Sequence, residues 1–270
     1  MPDFFFRIIL PMITLSALCM VAAGIGSTIL NRTKIEFASQ GEKIVFSTTA
    51  GFGVLSYSVF AISSFQLLYP AAIYLLLSLC LVLSVAGRQK KRGGLPWATS
   101  YGSHLVWLER STEILLAGSI LTSLLIVLTP AVGNDALTYH LAVPKLYLKH
   151  HGFYFIPGNI FANYPLNGEM LYTIALAVQG DTLAKGIHFS MGMLLLFAMR
   201  EFVGRHLSDR GTVFPSLLIF FTIPSVFLNT HMAYNDLTFA LYNFLAVYAF
   251  INWFTRKHIS WLSLCAVMSG

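Results

Sequence analysis

Between Thr129 and Gly152 the chain reads TPAVGNDALTYHLAVPKLYLKHHG, which sets an acid, a phenol and an imidazole close together as Asp135, Tyr139 and His140. Residues four apart share a helix face, so a helical turn here presents Asp135 and Tyr139 side by side with His140 next to them. Such a trio at a wet surface can serve proton transfer. The plain alternative is that Asp135 only favours the N-terminus of a short helix, where negative charge is stabilising. A second acid, Asp236, stands in IPSVFLNTHMAYNDLTFALYNF near His231 and Asn235, and the same two readings apply to it. A third, Glu169, follows Pro165 by four residues in NYPLNGEMLY; its plain reading is a solvated residue on an amphipathic helix. His104, His188 and His258 have no ionisable company in sequence and read as structural.

The familiar signatures of soluble enzymes are missing. The chain has no phosphate-cradling glycine loop, no HExxH, no CxxC pair and no Gly-x-Ser-x-Gly elbow. Cys19, Cys80 and Cys265 lie inside apolar runs and read as small hydrophobes.

The elements that must carry these residues are membrane helices. Of 270 residues, 56% are hydrophobic and only 10% charged, with a mean hydropathy of +0.71. A soluble domain carries roughly 25% charged residues, so this chain cannot cover its surface in water. Runs long enough, or nearly so, to cross a bilayer core occupy 5–30, 44–65, 68–87, 112–130, 182–204, 212–230 and 233–254. The expected fold is all-α, a polytopic membrane helix bundle of about seven to eight membrane helices, with an outer loop of interfacial helices. Residues 1–95 form an N-terminal extension of three helices and 96–270 the remaining core.

Lys and Arg set the orientation. They follow the first run (Arg32, Lys34, Lys43), the third (RQKKRGG at 88–94), the fifth (Arg200, Arg205, Arg210) and the seventh (Arg256, Lys257). Every second connection is basic, which assigns those connections to the cytoplasm. The net charge of +6 is therefore a topology signal, and no aromatic-interleaved basic surface points to nucleic acid. The connection 131–181 then lies outside, in a bacterial periplasm or its equivalent. Its expected helices are 135–142, capped by Asn134, 144–151, begun by Pro144 and closed by Gly152, and 166–179. Leu141, Val143, Leu146, Tyr147 and Leu148 give them an apolar face for the interface. The outer aromatics Tyr139, Tyr147, Phe153, Tyr154, Phe155, Phe161 and Tyr164 serve either as interfacial anchors or as platforms for a sugar or an isoprenoid chain.

In this order the three polar segments resemble the GT-C superfamily of polytopic glycosyltransferases, near its dolichyl-phosphate-mannose–protein mannosyltransferase-like branch. The likeness rests on Asp135, Tyr139, His140, Pro144 and Lys145, then Asn163-Tyr164-Pro165 with Glu169-Met170-Leu171-Tyr172, then Pro224 and Asp236. It covers about 112–270. What the resemblance implies is inverting transfer of a sugar from a polyprenyl-phosphate donor to a glycan, lipid or protein acceptor at the outer face of the cell membrane. Asp135, as general base, and His140 would be catalytic; Tyr139, Lys145, Glu169 and Asp236 would bind substrate. No cofactor is firmly implied; a divalent metal is compatible, with Asp236 as a weak candidate ligand.

Two departures stand out. Some relatives carry a lysine beside the proline motif that contacts the donor phosphate, whereas this chain has Tyr164 there, leaving Lys145 and Lys149 as candidates. Family members also run to roughly twice this length, and the last apolar run, WLSLCAVMSG, is too short to span. The expectation is an N-terminal portion that inserts but transfers no sugar alone. The rival readings are a transporter or flippase-like protein in which Asp135 and Asp236 bind substrate or proton, and a non-catalytic subunit.

Overall fold

The computed structural model describes residues 5–87, 106–206 and 210–270. The run RQKKRGG at 88–94 and His104 lie outside the described residues. Among those described, every regular element is helical: α1 (Leu10–Leu30, after a π turn Phe5–Ile9), α2 (Gln40–Ser64), α3 (Pro70–Ala86), α4 (Val106–Val127), α5 (Ala142–His150), α6 (Asn167–Val178), α7 (Asp181–His206), α8 (Val213–Thr222), α9 (Pro224–Thr230), α10 (Asp236–Arg256) and α11 (Ile259–Ser269). Five of them (α1, α2, α4, α7, α10) are long and apolar enough to cross a membrane, and the pair α8–α9 counts as a sixth if a bent span is allowed. The chain is thus a multi-pass helical membrane bundle. The count falls below seven to eight because α3, with 17 residues, and α11, with 11, are short.

The run expected as one helix over 212–230 breaks into α8 and α9, bent by 79°. Pro224 is the cause. It supplies no N–H to continue the helix and pushes Ile223 out of the helical region, to ψ 124°. At the other runs the ends shift by a few residues for local reasons. The second helix starts at Gln40, because the Ser39 hydroxyl accepts the N–H of Glu42 at 2.9 Å.

Helices α1 and α2 form an antiparallel pair whose backbones nearly touch. A Cβ placed on Gly26 would stand 1.7 Å from the Ser47 carbonyl oxygen, and one on Gly51 1.8 Å from that of Ala22. Small residues four apart on each helix (Ala22 and Gly26, Ser47 and Gly51) create this approach, the usual means of tight packing where lipid removes the hydrophobic drive. One continuous apolar core then joins residues of α1–α3 with those of α5–α7, α10 and α11. The N-terminal three helices are therefore packed into the same body as the rest. A smaller core, Leu116, Leu196, Val213, Leu217 and Phe221, ties α4 and α8 to α7.

The bundle has two chemically distinct ends. At one, buried Glu42 on α2 receives Arg205 Nη1 from α7 at 3.0 Å and Asn252 Nδ2 from α10 at 2.8 Å. Ser39 donates to Glu201 Oε2, and Arg256 donates to the Glu36 carbonyl oxygen. Gly87 meets Thr28 on this side. Arg205 and Arg256 thus gather with Lys43 at this end. At the other, Leu68 N–H donates to the His151 carbonyl at 2.8 Å and Phe153 N–H to that of Ser63 at 3.2 Å, laying 63–69 against the long connection 131–181.

That connection holds short helices close to those expected, with different caps. Residues Ala136–His140 form a π turn whose N-cap position is Asp135 rather than Asn134, with no side-chain capping bond. Pro144 sits third in α5 rather than first. The left-handed residue closing α5 is His151 (φ 61°), not Gly152, whose N–H reaches the Tyr147 carbonyl at 3.0 Å. Gly152 is needed for space: a Cβ there would stand 2.7 Å from the Ser63 carbonyl oxygen. Exposed Phe65, Phe155, Ile160 and Tyr164 ring this end, as aromatic anchors do at a membrane interface.

Candidate functional site

Where α4 ends, its last carbonyls lack helical partners. The Lys185 ammonium of α7, itself buried, donates to the carbonyl oxygens of Ile126 at 2.9 Å and Thr129 at 2.8 Å. A cation at a helix C-terminus also suits the helix dipole. Beside it, Asp181 accepts the Ala131 N–H at 2.9 Å. These two side chains fix the direction in which the chain runs toward Asp135.

A second clamp sets Asp236. Buried His188 accepts the Leu237 N–H at Nε2 (3.2 Å), so its ring hydrogen sits on Nδ1 and is donated to the Met232 carbonyl at 2.8 Å. The segment 232–237 is thereby fastened to α7, and His188 is structural, as its lack of ionisable neighbours in sequence implied. Tyr172 donates its hydroxyl to the Tyr234 carbonyl. The Asp135 backbone N–H reaches the Tyr234 hydroxyl, and a Cβ on Gly133 would stand 3.1 Å from that same oxygen. The two acidic segments are therefore laced together.

Asp135 and Asp236 are both exposed at the surface of this cluster. Asp135 makes no capping hydrogen bond with its side chain, although it directly precedes the π turn. Their charges converge on two phenols. Burial pushes the Tyr139 hydroxyl above its ordinary pKa, and the carboxylates of Asp135, Glu169 and Asp236 push it further. Tyr234 is raised by burial first and then by the Asp135 carboxylate, opposed by the Asp135 N–H, with Asp236 adding a smaller push upward. Both hydroxyls stay protonated at neutral pH and can donate hydrogen bonds. The Tyr139 ring lies on Phe161 with centroids 4.6 Å apart and planes at 19°.

Beneath them sits a sealed pair. His140 Nδ1 stands 2.6 Å from Glu169 Oε1, with side chains 3% and 0% exposed. Asn235 Nδ2 reaches the same oxygen at 3.4 Å, and Glu169 Oε2 has no partner. Five residues singled out in sequence (Asp135, Tyr139, His140, Glu169 and Asp236) thus meet in one place. Lys145 does not join them. It is exposed on α5, and among the described residues no hydrogen bond or ion pair links Lys145 or Lys149 to the cluster. Among the described residues no three His, Cys, Asp or Glu side chains are placed to hold a metal ion.

On the far flank of α6 a cleft of about 280 Å³ is lined by Phe60, Tyr147, Phe153, Tyr164, Pro165 and Met170 among others. Tyr234, His188 and Lys185 were not legible as parts of the site, whereas Asn235 and Tyr172 were already named within the segments singled out. Lys185 alone carried a signal, as a charge at the edge of an apolar run. Comparison with protein-family models, curated proteins and solved structures finds no match to this chain.

Proposed function

We propose that this chain carries the donor and acceptor site of a membrane glycosyltransferase that uses a sugar on a polyprenyl phosphate. The observation that carries the reading is the meeting of Asp135, Asp236, Tyr139 and Tyr234 over the buried His140–Glu169 pair, at the bundle end opposite the basic connections. By the positive-inside rule that end is extracytoplasmic. The acceptor hydroxyl attacks the anomeric carbon as the lipid phosphate leaves, through a transition state with oxocarbenium character like that of glycoside hydrolysis. Asp135 and His140 supply the negative charge and the proton acceptor this demands. Tyr139 and Tyr234 donate to substrate oxygens, and the aromatic faces bear on the sugar or lipid.

The test is transfer of radiolabelled sugar from polyprenyl-phosphate donors in membranes of cells carrying the intact gene, compared with cells in which it is deleted. Loss of one labelled product on deletion supports the reading; identical product profiles count against it. A second reading, a transporter, is favoured by the α8–α9 bend, since broken helices often frame transport sites. It expects solute flux in proteoliposomes and no glycosyl product.

Sidedness has its own measurement. With native cysteines removed, a cysteine at Asn159 is expected to react with a membrane-impermeant thiol reagent in intact cells, and one at Gly93 is not. Labelling at position 93 alone would invert the topology and remove the site from the donor's face.

A further inference from the structure

The sequence offered Glu169 as a solvated or substrate-binding residue, yet it is fully buried and turned onto His140. A buried carboxylate is costly unless its charge is offset. Here the offset comes from His140 at 2.6 Å and from the Asn235 amide at 3.4 Å, while Oε2 has no partner. The pair is therefore short of positive charge. On the other side of the ring, Nε2 makes no protein hydrogen bond and, though the side chain is only 3% exposed, is not among the fully enclosed unpaired atoms. Tyr139 and Tyr234 flank this ring, with centroids 4.0 and 5.5 Å away.

We propose that Glu169 is a positioning residue that holds the His140 ring hydrogen on Nδ1 and leaves Nε2 bare as the proton acceptor of the reaction. A carboxylate behind an imidazole does two things: it selects the tautomer and stabilises the imidazolium that forms. Resting on the glycosyltransferase reading, the step balances as follows. The acceptor O–H bond breaks and its proton goes to Nε2. The acceptor oxygen bonds to the anomeric carbon, and the bond from that carbon to the phosphate oxygen breaks, its electron pair leaving on the phosphate. The proton on Nε2 gives the buried Glu169 the positive charge it lacks. Asp135, which the family resemblance casts as the base, is exposed to water, and its carboxylate makes no capping bond. Its part is negative charge opposite the sugar's developing positive charge.

The test reads which ring nitrogen carries the hydrogen, by ¹⁵N NMR of histidine-labelled protein in nanodiscs, with the His140 signal identified by its loss in His140→Gln. The wild type is expected to carry it on Nδ1. Glu169→Asp should keep that preference, and Glu169→Gln should lose it, because an amide can either donate or accept. In the transfer assay Glu169→Gln should lower kcat by about 10²-fold or more, in the range of positioned acid–base groups, with KM little changed; Glu169→Asp should recover part of it. A wild-type ring with its hydrogen on Nε2 would mean that Glu169 is itself protonated and donating, which overturns the proposal whether or not the glutamine variant folds. So would an Nδ1 hydrogen combined with normal kcat in Glu169→Gln. If the wild type shows Nδ1–H but the product of the intact gene transfers no sugar from any polyprenyl-phosphate donor, the functional reading fails, and the pair's role in proton transfer falls with it. The tautomer itself is measured without substrate.

Discussion

Asp135→Asn is expected to cut sugar transfer by about 10²–10³-fold in the active form of the protein, the loss seen when one preorganised electrostatic group facing a transition state is removed. The substitution is nearly isosteric and removes only the charge. It should leave expression and insertion unchanged, because Asp135 makes no capping bond that a helix would miss. Asparagine also caps helices about as well as aspartate, so a purely structural Asp135 predicts near-normal turnover. Turnover measured beside membrane-inserted protein level separates the two. Asp236→Asn should do less, since on both Tyr139 and Tyr234 the Asp135 carboxylate weighs more than that of Asp236. Activity within a few-fold of wild type in Asp135→Asn would remove this residue from the mechanism.

The largest effect on stability is expected at the other end of the bundle. Glu42 is almost fully buried and holds Arg205, Asn252 and the Ala38 N–H at once. Breaking a buried ion pair by deleting one partner costs about 3–5 kcal/mol, because the remaining charge is stranded. Arg205 is 31% exposed and can turn partly to water, which places Glu42→Ala near or below the low end of that range. Three helices meet on this one carboxylate, so the loss falls on the junction rather than on a single contact. Thermal unfolding in detergent should show a drop of several degrees, with Glu36→Ala as control, since Glu36 serves the Arg256 contact through its backbone oxygen. Equal melting of the two variants would show that packing alone holds this end.

Much of the architecture was readable from charge depletion, because only long apolar runs satisfy a bilayer and most lysine and arginine fall in or beside the breaks between them. The same logic put Asp135 and Asp236 at helix boundaries on one face, and there they stand. What could not be read depends on distance along the chain. Glu42 and Arg205 are 163 residues apart, and no local pattern announces their pairing. Glu169 looked solvated because an acid on a short amphipathic helix usually is; its burial depends on α6 packing against α2 and α7. The bend at Ile223–Pro224 was in plain sight as a proline but lay inside an apolar run long enough to pass as one span. His188 and Lys185 act on backbone groups, and backbone partners leave no trace in side-chain spacing.

Lys185 carries one more consequence, for the order in which the molecule is made. Helix α4 leaves the ribosome before α7, α8 and α9, which supply the partners of its buried Leu116. The ammonium that satisfies the Ile126 and Thr129 carbonyls arrives more than fifty residues later. Until then α4 stands in the bilayer without its later packing partners and without the Lys185 bonds, held at its end only by local contacts such as those of Thr129 with the Ile126 carbonyl. The exit toward Asp135 takes its final course only as α7 enters, and the cluster closes only when Asp236, at the start of α10, follows, although its first residue is synthesised early.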